Sequence, residues 1–162
     1  MIGNVLRERH TSAVLMYGQA MEFLESAKRL ASNDTPALFL ACHGLELALK
    51  SYLRAKGAPL TKLRAIRHSI IAALNDCVAQ GLVTPPQDVG QILTIVEGPH
   101  ASYAYRYWSS YRQIIIDRRL LLHAGAWAMS AVLPAVAQSA GLDTSSVRFR
   151  KMQQAAKALA QS

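Results

Sequence analysis

Apolar residues recur every three or four positions along most of this chain, and nowhere do they alternate as in a strand. The fullest case is residues 36–57, PALFLACHGLELALKSYLRAKG. At 100° per residue, Leu38, Ala41, Cys42, Leu45, Ala48, Leu49, Tyr52 and Leu53 share one broad sector of a helix. Leu40 and Leu47 form a second apolar line, and His43, Glu46, Lys50 and Arg54 run as a polar stripe between the two. The stretch carries its own boundaries. Asp34 or Thr35 serves as N-cap, Pro36 takes the first helical position where its missing N–H costs nothing, and Gly57 ends the helix at positive φ. A helix apolar on two sides belongs in the middle of a bundle, or in a core and a subunit interface at once. Cys42, Leu45 and Leu49 are therefore expected inside the subunit, with Leu40 and Leu47 covered by something else.

The same spacing predicts further helices. One covers residues 11–30, with Val14, Tyr17, Met21, Leu24, Ala27 and Leu30 inward and Glu22, Glu25, Lys28 and Arg29 on the wet side. After a link over 57–67, a helix over 68–80 carries Ile70, Leu74, Cys77 and Val78 and stops at Gly81. A short helix opens at Thr84-Pro85-Pro86, carries Val89, Ile92, Leu93 and Val96, and ends at Gly98-Pro99. A long core helix runs from about 110 to 133 or beyond, with Pro134 kinking or ending it. The fold class that follows is all-α: an up-and-down helical bundle of four to five main helices with extra short ones. Residues 1–141 make the bundle. Residues 142–162 make a basic helix capped by Thr144 or Ser145, or a partly ordered tail.

Composition narrows the class. At 162 residues, 51% hydrophobic and 17% charged, the chain suits one domain and is too apolar for disorder. A net charge of +8 favours an anionic partner, whether nucleic acid, nucleotide or acidic membrane, although a basic soluble protein needs no such partner. Cys42 and Cys77 read as small core residues in a reducing compartment, and the polar, charged start MIGNVLRERH does not look like a secretory signal, so a cytoplasmic protein is expected. Residues 120–140 contain no Asp, Glu, Lys or Arg and are long enough to span a bilayer. His123, Ser130, Pro134, Gln138 and the many alanines fit a buried central helix better, and no membrane contact is expected.

Two stretches carry candidate chemistry. His43, Glu46 and Lys50 are either a solvated face with an i, i+4 ion pair, or a polar line facing a cleft near His68. No metal is expected there, because His43 and Glu46 offer only two ligands and no His-x-x-x-His or Glu-x-x-His pattern adds more. The second stretch, HASYAYRYWSSYR, interleaves Tyr103, Tyr105, Tyr107, Trp108 and Tyr111 with Arg106 and Arg112, and Arg118 and Arg119 follow. Arginine offers a bidentate fork to phosphate and aromatic rings stack on unpaired bases. The alternative is that the rings pack the end of the bundle. There is no Gly-rich phosphate loop and no Ser or Cys nucleophile context.

Three places together resemble the HEPN superfamily, helical domains of prokaryotic RNA and nucleotide biology. They are His43-x-x-Glu46-x-x-x-Lys50 followed by Gly57, Arg67-His68 ahead of Ile70 and Leu74, and Tyr105-Arg106-Tyr107 before the last long helix. The resemblance covers roughly residues 10–135. It implies a domain that binds RNA or a nucleotide through Arg106, Tyr107, Arg112 and Arg119, with His43, Lys50 and His68, possessing no cofactor. A toxin or defence setting and a separate nucleotidyltransferase partner fit the same resemblance, and a homodimer is expected because the second apolar line of the central helix, Leu40 and Leu47, needs a cover. Many such domains cleave RNA without metal, using an Arg and a His near the start of the last helix. Here Arg118-x4-His123 matches: the Arg would stabilise charge on phosphate and the His would move a proton. Five positions on a regular helix set the two side chains about 140° apart. Gly125 stands where some family toxins carry Tyr. The alternatives are a core role for His123, and a non-catalytic protein-interaction module.

Overall fold

Backbone punctuation divides the chain into helices. A computed structural model describes residues 2–30, 35–104 and 116–161, with side chains from residue 12 onward. Among these residues every regular element is an α-helix: α1 (Ile2–Arg29), α2 (Thr35–Ala55), α3 (Leu60–Ala65), α4 (Ile70–Ala79), α5 (Gln87–Ala101), α6 (Arg118–Ser139) and α7 (Val147–Ala158). Gly57, Gly81 and Gly141 follow α2, α4 and α6 with φ of 94°, 93° and 66°. Each allows the next residue to bond back across the last turn, as Ala58 N–H does to the Leu53 carbonyl at 2.9 Å.

The apolar sector of α2 is the centre of the molecule. Cys42, Leu45 and Leu49 are fully buried, as the pattern required. Helix α2 packs against α1, α3, α4, α5 and α6, so its two-sided apolar character is met inside one subunit. Leu40 and Leu47 are half-buried against that same core. Helix α6 is long and apolar enough to cross a membrane by length and composition, the one such helix among the described residues, and most of it is buried in the bundle. Close approach of α1, α2 and α6 depends on glycine. A Cβ at Gly44 or at Gly125 would lie 2.7 Å from a side-chain carbon of Leu24, which is fully buried between them.

Several boundaries differ from expectation. Helix α1 begins at Ile2 rather than near 11, since no proline interrupts residues 2–11. The link after Gly57 contains α3, a six-residue helix too short to show periodicity, anchored by buried Leu63. Helix α4 starts at Ile70 with Ser69 as cap, so His68 precedes the helix instead of opening it. Helix α5 does not stop at Gly98-Pro99 but continues to Ala101. Helix α6 starts at Arg118, with the Asp117 carboxylate accepting from Arg119 N–H at 2.8 Å, and runs through Pro134 to Ser139. Residues 142–161 are packed on the bundle: α7 is capped by Ser146 and buries Phe149, Ala156 and Leu159, joining the common core against α6. Lys28, expected on the wet side of α1, donates to the Ala158 carbonyl at 2.6 Å and the Gln161 carbonyl at 3.0 Å.

Candidate functional site

The polar stripe of α2 faces inward. Glu46 is 2% exposed, and both of its oxygens are surrounded by cationic or ionisable groups. Oε1 accepts from Lys50 Nζ at 2.6 Å, one helical turn on. Oε2 lies 2.8 Å from His100 Nε2, 3.1 Å from His68 Nδ1 and 3.4 Å from His43 Nδ1. These donors come from three parts of the chain. His43 and Lys50 share α2 with Glu46, His68 sits in the turn between α3 and α4, and His100 occupies the last turn of α5.

The turn bearing His68 is clamped from two sides. Lys50 Nζ also donates to the Arg67 carbonyl. From α5, Glu97 accepts from Ser69 Oγ at 2.5 Å and from Ile71 N–H at 3.0 Å. Arg67 is held at φ 54° and Tyr103 at φ 61°, the two non-glycine residues with positive φ among those described. Both flank the Glu46 cluster. Such conformations cost roughly 1–3 kcal/mol each and persist where neighbours fix them. At Tyr103 the fixing is explicit: its N–H bonds the His100 carbonyl at 3.1 Å, Ala104 N–H bonds the Pro99 carbonyl at 2.9 Å, and its ring stands 4.9 Å from that of His68. His43 is set between Phe23, edge-on at 4.7 Å, and Phe39, stacked at 5.7 Å.

Burial alone would raise the Glu46 carboxyl, but contacts with His100, His43 and Lys50 more than offset it and hold the group well below the usual carboxylate range. The site thus keeps a buried anion. Burial, and then the Glu46 charge, push the Cys42 thiol upward, which leaves it a poor nucleophile. The side chains of His43 and His68 retain 20% and 24% exposure, so the cluster lies just beneath the surface.

Of the residues picked from sequence, the structure gathers His43, Lys50 and His68 around Glu46. The solvated-face alternative for this stripe is thereby removed. The count of two metal ligands is also corrected. Three histidine nitrogens and one carboxylate oxygen, from His43, Glu46, His68 and His100, all lie within 4.8 Å of one another. His100 carries no local signal, because Gly98-Pro99 reads as a helix stop just ahead of it. Yet Val89, Leu93, Val96 and His100 keep a single helical row, and all four are buried. Arg106, Tyr107 and Arg112, with Tyr105, Trp108 and Tyr111, lie outside the described residues, and the chain passes into that segment directly from Tyr103 and Ala104. Arg119 is exposed and pairs with Asp117 at 2.7 Å. Arg118 and His123 turn to different helices. Arg118 Nη1 donates to the Ala27 carbonyl of α1 at 3.4 Å, whereas His123 Nε2 meets Asp88 of α5 at 3.0 Å. His123 is half-exposed at 49% and not a core residue, because Leu121 and Leu122 take the inward face of that turn.

No protein-family model matches this chain, and no curated protein or solved structure matches it at a significant level. The cluster is a preorganised set of one lysine and three histidines around a buried carboxylate, with the Tyr103 ring beside it.

Proposed function

We propose that this protein is a HEPN-like helical domain of the cytoplasm that binds RNA or a nucleotide where α5 passes into residues 105–115. The observation that carries this reading is the contact between the Tyr103 and His68 rings, 4.9 Å apart. It brings Tyr103, the described start of the aromatic, basic stretch, against the polar stripe of α2, which supports reading the two together. Lys50 and Glu46 fix the turn that presents exposed Arg67 and half-buried His68. Arg106, Tyr107 and Arg112 follow within a few residues of Tyr103, and Arg119 stands exposed at the start of α6. Guanidinium forks bind phosphate, rings stack on bases, and the chain's net charge of +8 draws a polyanion in. A second copy of the chain and a separate nucleotidyltransferase belong to the same reading as partners. RNA cleavage by Arg118 and His123 draws less support, since their side chains engage α1 and α5 respectively.

Fluorescence anisotropy with a short single-stranded RNA, and with a labelled ATP, tests it. Affinity is expected to fall linearly on a log–log plot as salt rises. The double substitution Arg106→Gln, Arg112→Gln is expected to weaken binding at least tenfold while the helical circular dichroism stays unchanged. Incubated RNA is expected to remain intact. Absence of binding to either ligand at low salt sinks the proposal.

A further inference from the structure

We propose that His43, Glu46, His68 and His100 bind one zinc-class divalent ion, which fastens α2, the α3–α4 turn and the end of α5 together. This site does not depend on the RNA reading. Its donor set is three imidazole nitrogens and one carboxylate oxygen, which suits borderline first-row ions. Magnesium and calcium prefer all-oxygen surroundings and do not fit it. Spacing agrees as well. Bonds of about 2.0–2.1 Å in a tetrahedron set donor separations of about 3.3 Å. Oε2 of Glu46 stands 2.8, 3.1 and 3.4 Å from the three nitrogens, already near that separation, and the four donor atoms, all within 4.8 Å of one another, draw together by up to about 1.5 Å around the ion.

One atom separates a metal site from a simple hydrogen-bonded hub. His43 Nδ1 is enclosed and faces Glu46 Oε2 at 3.4 Å, without the geometry of a full hydrogen bond. A hub leaves that nitrogen with one long contact, whereas an ion uses its lone pair fully. The groups behind the donors also suit an ion. Lys50 occupies Oε1 and leaves Oε2 for coordination, and the Arg67 carbonyl holds Lys50 in turn. Phe23 and Phe39 fix the His43 ring, and Tyr103 fixes that of His68. Such backing orients ligands and tunes their basicity. With four protein donors the site is closed, and its role is structural rather than catalytic. It joins Glu46 to residues 22 and 54 positions away, near the two strained residues Arg67 and Tyr103.

The test uses the full chain without an affinity tag, stripped by a chelator and dialysed. Cobalt(II) is titrated in as a coloured stand-in for zinc. A tetrahedral ligand-field band saturating at one equivalent, and bleached by zinc, is expected. Zinc is expected to raise the melting temperature by several degrees, and magnesium to leave it unmoved. His100→Gln and His68→Gln are each expected to abolish the band, and His123→Gln, outside the cluster, to keep it. Should His100→Gln fail to fold, His68→Gln decides, because that side chain is partly exposed and its loss opens no core cavity. Absence of the band in the parent protein, or its survival in folded His68→Gln, overturns the site and leaves a hydrogen-bonded carboxylate.

Discussion

Glu46 is a full charge placed almost out of reach of water, and its neighbours decide whether the fold tolerates it. Among the described residues Lys50 is the one ammonium in direct contact, itself only 10% exposed at the side chain. Lys50→Met keeps the volume and removes the charge, stranding a buried carboxylate. A loss of ~3–5 kcal/mol is expected from urea denaturation, as for other buried pairs cut on one side. A loss below about 1 kcal/mol would mean that the histidines alone hold the anion. Buried thiols give a second residue-scale expectation. Burial pushes Cys77 from the ordinary 9.0 to about 12, and its thiol donates to the Leu49 carbonyl at 3.3 Å. The folded chain keeps that proton while the unfolded chain releases it near pH 9. Stability is thus complete below about pH 9 and falls as pH rises towards 12. Urea midpoints at pH 8 and pH 10 measure the fall, and Cys77→Ala is expected to flatten part of it, whatever that variant's starting stability. A slope unchanged by Cys77→Ala would assign the fall to other groups.

Between elements, the tightest fit is Leu24 of α1 between Gly44 of α2 and Gly125 of α6. Gly125→Ala would bring a methyl to 2.7 Å from Leu24 Cδ2, so α1 or α6 must move. A cost of ~1–3 kcal/mol is expected in thermal or urea melts, against the gain that alanine normally brings to a helix interior. Adding Leu24→Ala should recover part of the overpacking cost, and no coupling in that double-mutant cycle would disprove the fit. Much at this scale was legible in the sequence. Gly57 and Gly81 end helices where the pattern sets them, and the apolar sector of α2 is buried as spaced. Local signals failed where a distant group intervened. Gly98-Pro99 reads as a stop, yet His100 is tethered 2.8 Å from Glu46, 54 residues away, and the last turn of α5 forms around that tether. Nor did α2 alone reveal that its polar stripe was the best-enclosed part of the site. The residues that enclose it, His68 and His100, belong to other elements, and no spacing within one helix records their arrival.

Across the molecule, α7 tests whether the last described residues belong to the same cooperative unit. Leu159 is fully buried against the common core. Leu159→Ala is expected to lower global stability by ~2–5 kcal/mol in one transition seen alike by circular dichroism and Trp fluorescence. A midpoint unmoved by the substitution would make α7 an appendage. The carboxylate cluster has the converse position, joining α2 to the α3–α4 turn and the end of α5, a few residues ahead of the basic aromatic stretch in sequence. Ligand binding there and packing around α7 therefore draw on different parts of one core.

Lys28 and the carbonyl it holds at Ala158 are 130 residues apart, and that separation has a meaning for synthesis. Chains leave the ribosome at about 5–20 residues per second, so α1 waits on the order of ten seconds for its clasp. For much of that time Leu24 has α2 beside it but no α6 to close its other side. A nascent chain halted before residue 118 would show that leucine to chaperones, and a finished one would hide it.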